Sequence, residues 1–273
     1  MDAKLQRRIQ RYGWDAAAKN YEAAWRDNVA PAHAAMFKLA DLRSGEDVLD
    51  VACGSGLVTF RAAGIVGPSG SVLSTDISDE MVRLVQQRAE QTGCVNVQAR
   101  RMDAEALDVP DEAVDAALCA LGLMYVPDPG QATKEMLRVL KPGGRAVAAV
   151  WGERRNCGWA ELFPIVDSEV QSDVCPLFFG LGTGDSLRAT FEDAGFASVE
   201  AHRLSVTSDF PNARDALTAM LDGGAVALAT KRFDASTRHR VEGRFLESIA
   251  DFRCADGSYA IPAEFVVVLG RKR

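Results

Sequence analysis

The chain has 273 residues, 48% of them apolar and 25% charged, and its formal net charge is −7 at pH 7. This length suits one large domain with a sizeable core, and the acidic balance argues against nucleic acid as a partner, because proteins that bind it carry a basic face. No apolar run approaches the roughly 20 residues that cross a membrane, and six cysteines are scattered without a C-x-x-C pair. We therefore expect a cytoplasmic protein with reduced thiols and no membrane span.

Residues 1–42 precede any strand pattern and are predicted to be helical. Aromatic and aliphatic residues recur at helical spacing over residues 4–28, interrupted by Gly13. Pro31 is suited to open a second helix that runs to about Leu42. Two interpretations are open: these helices pack on the surface of the domain, or they form a lid over a binding site.

A strand is predicted at residues 47–52, followed by a tight turn and a helix over about 56–65. Asp50 lies just before the turn. Gly54 and Gly56 allow the backbone to approach a ligand closely, and the N-terminus of the following helix offers unpaired N–H groups.

A second predicted strand, residues 71–76, ends in Asp76. An acidic residue at this distance from a glycine turn binds both hydroxyls of a ribose that lies across the turn. The pair of motifs predicts a nucleoside site. The alternative is an ordinary strand–turn–helix corner.

The turn itself indicates which nucleoside is bound. A dinucleotide fingerprint needs G-x-G-x-x-G, and Thr59 stands where its third glycine would be. The carboxylate of Asp50 suits an ammonium group better than a pyrophosphate. The stretch D-V-A-C-G-S-G, from Asp50 to Gly56, resembles the first motif of the class I S-adenosylmethionine-dependent methyltransferases, although Ala52 stands where many members have glycine. The resemblance implies S-adenosylmethionine as the cofactor.

The same resemblance extends to further positions. A W-x-x-x-A-x-x-Y pattern from Trp14 to Tyr21 matches a segment that crosses the mouth of the cofactor site in related small-molecule enzymes. Ile77 and Met81 correspond to the adenine wall, and Asp103 to the acceptor for the adenine amino group. Without the resemblance, the first two would be core residues and Asp103 a helix cap. The implied cofactor-binding set is Tyr21, Asp50, Ala52, Cys53, Gly54, Gly56, Asp76, Ile77, Met81, Asp103, Ala104 and Cys119.

A third strand is predicted at residues 95–101 and a fourth at 114–120, which ends in the largely apolar stretch 121–126. Ligands of open α/β sheets gather at the carboxyl ends of the strands, so this stretch is expected to face the reacting methyl group. It lacks the D/N-P-P-Y turn of the DNA and RNA amino-methyltransferases, which disfavours methylation of bases. A helix from Asp128 to Leu140 and a buried strand at 145–151 follow.

Beyond residue 151 the pattern predicts helices at 159–171 and 185–195, a strand at 197–208 and a last strand at 264–270. The long connection 211–258 contains two helical patterns, 212–230 and 235–253, and is interpreted as a cap. The predicted fold is α/β, a Rossmann-like, mostly parallel seven-stranded sheet with helices on both faces and an added helical cap. Its parts within one domain are the lid (1–42), the S-adenosylmethionine-binding core (43–151) and the remaining sheet with the cap (152–273).

The catalytic residues are not specified by any motif. His33, in the expected lid, and Tyr125 are the candidates for a general base, and no spacing of ligands predicts a metal site. The expected reaction is in-line methyl transfer to a small, partly hydrophobic molecule, in the branch that resembles ubiquinone/menaquinone-biosynthesis methyltransferases. Two alternatives stay open at this point: an NAD(P)-linked oxidoreductase and a nucleoside-binding regulatory protein without turnover.

Overall fold

A seven-stranded sheet forms the centre of the protein in the computed structural model, which describes residues 2–170 and 178–273. The strand order is β3-β2-β1-β4-β5-β7-β6, with β7 antiparallel to both of its neighbours and the other pairs parallel. The strands are β1 (Asp47–Val51), β2 (Ser71–Asp76), β3 (Val97–Arg101), β4 (Val114–Ala120), β5 (Leu140–Trp151), β6 (Ser198–Phe210) and β7 (Tyr259–Arg271). This is the fold class that the sequence predicts.

Nine α-helices are present among the described residues, the first before β1 and the other eight in the connections between strands. They are α1 (Ala3–Ala40), α2 (Leu57–Val66), α3 (Asp79–Thr92), α4 (Pro129–Val139), α5 (Leu162–Asp167), α6 (Ser186–Ala194), α7 (Ala213–Leu217), α8 (Ala227–Thr230) and α9 (Ala235–Ser248). Consecutive residues of β1, β4 and β5 are buried, so both faces of the central sheet are covered.

Local signals define the first half of the sheet. Ser78 caps α3, since its Oγ accepts a hydrogen bond from Met81 N at 3.1 Å, and Gly93 ends that helix with a left-handed φ of 64°. Asp128 caps α4 in the same way. The predicted boundaries in this region agree with the structure to within a few residues.

The N-terminal region differs from its prediction. Residues 3–40 form one continuous helix with Pro31 in its interior, so the expected break at Gly13 and the separate second helix are wrong. The buried residues Val29, Ala32 and Met36 lie on either side of the proline and belong to the same core. Packing of this stretch against the sheet outweighs the roughly 3 kcal/mol that an interior proline costs a helix.

The C-terminal half also departs from the periodicity. β7 begins at Tyr259 and not at residue 264, and the helix expected at 159–171 is α5 alone within the described part of that range. The helix expected at 212–230 is divided into α7, a π-helical turn (Thr218–Asp222) and α8, because Gly223 and Gly224 follow the turn. α7, α8 and α9 lie between β6 and β7, where the sequence predicts a cap.

No helix among the described residues combines the length and apolar character needed to cross a membrane. Five cysteines of the described residues are free thiols, at positions 53, 94, 119, 157 and 254. Cys175 lies outside the described residues.

Candidate functional site

A large cavity opens at the carboxyl ends of β1, β2 and β4, where the strand order reverses. Its position is that of ligand sites in open α/β sheets. Its walls come from the segments that follow β1, β2, β3 and β4 and from the first half of α1. We call it the main cavity; it is lined by Arg7, Gln10, Trp14, Tyr21, Ala52, Gly54, Thr75, Asp76, Ile77, Met81, Met102, Asp103, Ala104, Ala120, Leu121, Gly122, Tyr125, Val126 and Pro127.

Asp76 stands at the end of β2 with both carboxylate oxygens held by the backbone. Oδ2 accepts a hydrogen bond from Gly54 N at 2.9 Å, and Oδ1 accepts one from Ser78 N at 2.9 Å. Each oxygen keeps a further lone pair for a donor in the cavity, which suits the two hydroxyls of a ribose. Burial raises the pKa of Asp76 to about 6, so the carboxylate is mostly ionised at neutral pH.

Asp50 lines a smaller cavity that adjoins the main one and shares Tyr21, Ala52 and Gly54 with it. The side chain of Asp50 is fully buried. Its Oδ2 accepts a hydrogen bond from Thr59 Oγ1 at 2.6 Å. Its Oδ1 has no partner among the described residues. Burial, and secondarily the charge of Asp76, raises the pKa of Asp50 to about 7.

A second polar atom in this small cavity also lacks a partner. Ser55 Oγ is buried and makes no hydrogen bond to the described residues. Buried polar atoms are normally paired, so the two orphaned atoms, one acceptor and one hydroxyl, mark a place for a ligand with its own polar groups. The ammonium of an amino acid suits Asp50 Oδ1, and its carboxylate suits Ser55 Oγ. The donor set therefore fits the methionine end of S-adenosylmethionine.

The opposite end of the main cavity contains the residues expected at the adenine. Ile77, Met81 and Ala104 contribute apolar surface, and Asp103 is beside them. Asp103 Oδ1 accepts a hydrogen bond from Glu105 N at 3.0 Å, and its Oδ2 lies 2.6 Å from Arg7 Nε. No helix of the described chain begins at Asp103, so the interpretation of this residue as a helix cap is wrong.

The glycine turn shows why certain positions favour glycine. Gly54 and Gly56 have φ values of 53° and 87°, and Ala52 has 55°, a left-handed conformation that costs an alanine about 1–2 kcal/mol. Gly56 begins α2 and leaves no room for a side chain, because a Cβ would lie 2.9 Å from Phe60. It packs against the helix and does not line either cavity.

Two cysteines of the predicted set differ in position. Cys53 lines the small cavity, whereas Cys119 is fully buried within β4 and does not line the main or the small cavity. A Cβ on Gly122 would lie 2.9 Å from Cys119 Sγ, so the thiol packs behind the cavity wall. Burial raises the pKa of Cys119 to about 12, which keeps this thiol protonated.

Helix α1 passes over the main cavity. Trp14 and Tyr21 lie in its wall with their rings edge to face at 5.6 Å. The tip of Tyr21 lies close to Gly54, where an added Cβ would be 3.5 Å from Tyr21 Cε1. Tyr12, on the same helix, is 49% exposed and does not line the main cavity.

Polar contacts connect the first part of α1 to the loops beneath it. Arg7 pairs with Asp103, and Arg11 Nε donates to Asp79 Oδ2 at 3.0 Å. Asp15 Oδ1 accepts from Ser78 Oγ at 2.6 Å and also from a backbone N–H at the start of α3. The helix is thus tied to the ends of both β2 and β3.

A third cavity adjoins the main cavity. We call it the aromatic cavity, because rings make up most of its wall. It shares Trp14, Tyr21, Leu121 and Tyr125 with the main cavity, so the two spaces are separated only by these side chains. The residues that belong to it and not to the main cavity are Trp25, Val29, Trp151, Trp159, Leu162, Phe163, Phe178, Met220, Gly224 and Ala225.

The two candidates for a general base lie in different places. His33 is buried in the wall of the small cavity near Asp50, and burial, with the nearby charge of Arg61, lowers the pKa of His33 to about 4. It is neutral at physiological pH and does not line the aromatic cavity. Tyr125 lies between the main and aromatic cavities, 5.0 Å from the ring of Trp14.

Several wall residues were not found from the sequence. Arg7, Gln10, Thr75 and Met102 line the main cavity but belong to no motif, and Arg7 reaches its partner Glu105 across 98 positions of the chain. A signal for such non-local contacts is absent from a single sequence. Among the described residues, no group of three or more His, Cys, Asp or Glu side chains is placed to hold a metal ion.

Comparison with known proteins identifies relatives of the chain. Residues 48–144 match a family model described as a methyltransferase domain. The ubiquinone/menaquinone biosynthesis C-methyltransferase UbiE of Ectopseudomonas mendocina (strain ymp) is 33% identical over 183 residues, which cover 62% of this chain and 72% of that protein. The match thus extends well beyond the glycine turn.

Solved structures share the fold. The YcgJ protein from Bacillus subtilis has a TM-score of 0.63 at 19% identity and covers 89% of this chain and 99% of its own. Phosphoethanolamine N-methyltransferase 2 from Haemonchus contortus, solved in complex with S-adenosyl-L-methionine, has a TM-score of 0.63 at 15% identity and covers 95% of this chain and 57% of its own. At such identities the likeness concerns the fold alone.

Proposed function

Because the chain belongs to the class I S-adenosylmethionine-dependent methyltransferases and resembles the UbiE C-methyltransferases, we propose that it transfers a methyl group to a small, partly hydrophobic molecule held in the aromatic cavity. Membership of this family decides against the NAD(P)-linked oxidoreductase that the glycine turn left open. The observation that carries the proposal is the arrangement of the cavities: the main and aromatic cavities meet at Leu121, Tyr125, Trp14 and Tyr21.

We assign the cofactor to the main and small cavities. Asp76 would accept the ribose hydroxyls, Asp103 the adenine amino group, and Asp50 with Ser55 the ammonium and carboxylate of the methionine part. Gly54 leaves space for close approach of the ligand to the backbone. When bound, S-adenosylmethionine supplies an electrophilic methyl group on a sulfonium.

The protein contributes to the reaction mainly by positioning and by excluding water. Holding a nucleophile in line with a methyl group is worth up to roughly 7–11 kcal/mol. The wall around Leu121 and Tyr125 is apolar and buried, so little water is available to compete. We propose residues 1–42 as the lid that closes this space, and residues 211–258 as the cap that completes the acceptor side with Met220, Gly224 and Ala225.

The two candidates for a general base lie at different distances from the proposed acceptor space. Tyr125 lies where the two cavities meet, whereas His33 lies beside the small cavity. We therefore favour Tyr125 over His33 as the residue that contacts the acceptor. The free thiols support the cytoplasm as the proposed compartment.

Methyl transfer from tritiated S-adenosylmethionine tests the proposal. The enzyme is incubated with a mixture of small aromatic compounds, with DNA, with transfer RNA and with a protein extract, and label is counted in the organic and polymer fractions. Label in the organic fraction is expected. Label confined to a polymer fraction would overturn the proposal, and absence of transfer with intact binding would favour the regulatory alternative.

A variant separates acceptor binding from cofactor binding. Ala225 lines the aromatic cavity and not the main one. Ala225→Phe should fill the acceptor space, so that S-adenosylhomocysteine binds as in the wild type while methyl transfer is lost. Wild-type transfer rates in this variant would place the acceptor elsewhere.

A further inference from the structure

The wall of the aromatic cavity contains, among the described residues, one fully buried polar side-chain atom that makes no hydrogen bond. Trp159 is 2% exposed, and its Nε1, buried from solvent, makes no hydrogen bond to the described residues. A buried N–H group is normally paired. An unpaired, buried N–H group in the wall of a cavity therefore points to a ligand that would pair with it.

Aromatic rings surround Trp159 on the described side of the cavity. The rings of Trp151 and Phe178 lie 4.9 Å and 5.8 Å from its ring, both edge to face. A water molecule needs two to four polar partners to be held in a buried site, and the rings closest to Trp159 offer none. An acceptor atom of a ligand in the cavity would satisfy the Nε1–H group.

A second tryptophan of the same wall provides a comparison. Trp25 Nε1 donates a hydrogen bond to Gly223 O at 3.0 Å, so its N–H is already paired. Trp25 and Trp159 both line the aromatic cavity, and their rings are 6.4 Å apart. Among the described tryptophans of this wall, Trp159 is the one whose Nε1 is fully buried and makes no hydrogen bond.

The position of Trp159 relative to the cofactor gives the orientation of the ligand. Trp159 lines the aromatic cavity but not the main cavity, whereas Leu121 and Tyr125 line both. A group bound to Trp159 thus lies on the side of the acceptor space that is remote from the cofactor. The atom that receives the methyl group must lie near the shared wall.

We propose that Trp159 is a specificity-determining residue whose Nε1 donates a hydrogen bond to an acceptor atom of the substrate, distinct from the atom that is methylated. The substrate is then an apolar, ring-sized molecule with two polar positions, one toward the cofactor and one carbonyl, ether or ring nitrogen toward Trp159. This inference rests on the proposed function, because it assigns the aromatic cavity to the methyl acceptor.

A pair of probe compounds tests the hydrogen bond. 1-Tetralone and tetralin share one bicyclic frame and differ in a carbonyl. Their dissociation constants are measured by calorimetry on the full chain saturated with S-adenosylhomocysteine, for the wild type, Trp159→Phe and Trp25→Phe. The ratio of the tetralin to the tetralone dissociation constant is compared between the wild type and each variant. The difference in hydrophobicity of the two compounds is the same for every protein, so it cancels in this comparison.

The ratio should fall about tenfold from the wild type to Trp159→Phe, the change that one hydrogen bond of about 1.4 kcal/mol gives, and should stay within about twofold in Trp25→Phe. In an ¹H–¹⁵N spectrum the indole signal that is missing in Trp159→Phe should move with tetralone and not with tetralin. An equal ratio in all three proteins would overturn the assignment of Trp159 and leave the proposed function standing. Binding of neither compound to the wild type would overturn both.

Discussion

Replacing Asp50 by asparagine tests the role of the small cavity through the pH dependence of cofactor binding. Burial raises the pKa of Asp50 to about 7 in the free protein, so much of it is neutral at pH 6. An ammonium group binds the ionised form, which is therefore favoured in the complex. The affinity for S-adenosylhomocysteine should therefore rise with pH up to about 7, and most of this dependence should be lost when the carboxylate of Asp50 is removed.

The size of the change in affinity between pH 6 and pH 7 depends on the fraction of each carboxylate that is ionised. A group with a pKa of about 7 is about 9% ionised at pH 6 and 50% at pH 7, a gain of about fivefold in affinity. Asp76, with a pKa of about 6, adds a gain of about twofold over the same interval. Binding of S-adenosylhomocysteine should tighten about tenfold from pH 6 to pH 7, and by about twofold in Asp50→Asn.

The assay is calorimetry at the two pH values with two ligands. 5′-Methylthioadenosine lacks the amino-acid part, so it should show only the twofold share of Asp76 in the wild type. Asp47→Asn is a matched control, because Asp47 lies at the other end of β1 and pairs with Lys141. A dissociation constant for S-adenosylhomocysteine that is equal at pH 6 and pH 7 would refute the reasoning, as would an equally steep dependence for methylthioadenosine.

The same carboxylate should affect the stability of the free protein in the opposite sense. The pKa of Asp50 is raised from its ordinary value of 3.8 to about 7 by burial, so the folded protein binds its proton more tightly than the unfolded chain. This contribution is present below pH 4 and lost as pH rises toward 7. At pH 8 the ligand-free Asp50→Asn protein should be more stable than the wild type, by at most about 4 kcal/mol. Thermal unfolding with and without S-adenosylhomocysteine measures this difference in stability. An unchanged unfolding midpoint in the ligand-free variant would contradict the raised pKa of Asp50.

Three further outcomes are expected. Asp76→Ala should weaken binding of S-adenosylhomocysteine about 10- to 100-fold, because hydrogen bonds to a charged group contribute about 1.5–3 kcal/mol. The control variant Asp79→Ala, which removes half-exposed ion pairs, should bind this ligand within about twofold of the wild type. Normal calorimetric binding by folded Asp76→Ala would exclude the ribose role of Asp76. Gly122→Ala should lower the free energy of unfolding in urea by about 1–3 kcal/mol, because the added Cβ would lie 2.4 Å from the Cβ of Ala52. Gly243→Ala, with open space around it, should raise the free energy of unfolding by about 0.5–1 kcal/mol. Equal effects of the two substitutions would refute the packing argument. Hydrogen exchange with S-adenosylhomocysteine should slow at residues 12–25, and unchanged rates there would rule out the lid.

The nucleotide-binding half of the fold was predictable because its signals are local. Ser78 and Gly93 bound α3 through contacts within a few residues, and Asp76 follows an apolar strand at a recognisable distance from Gly54. Each of these features is set by the chain on either side of it. Sequence patterns of this kind specify elements and their ends.

The N-terminal helix and the aromatic cavity were not predictable in the same way. Gly13 and Pro31 are true helix-breaking signals, yet α1 continues through both because its buried face packs on the sheet. The aromatic cavity collects residues as distant as Trp25, Trp159 and Met220. Their proximity arises from long-range packing, which overrides local propensity and leaves no periodic trace.

The cap between β6 and β7 begins and ends at neighbouring points. Phe210 and Tyr259 are paired residues of the two strands, so residues 211–258 leave the sheet and return to it as the loop of a very long hairpin. Changing such a loop costs little chain entropy, and the residues that we propose for the cofactor lie at the ends of other strands. Because residues 211–258 contribute Met220, Gly224 and Ala225 to the aromatic cavity, chimeras that exchange this segment with that of a relative should keep the cofactor site and change the part of the acceptor space that these residues line.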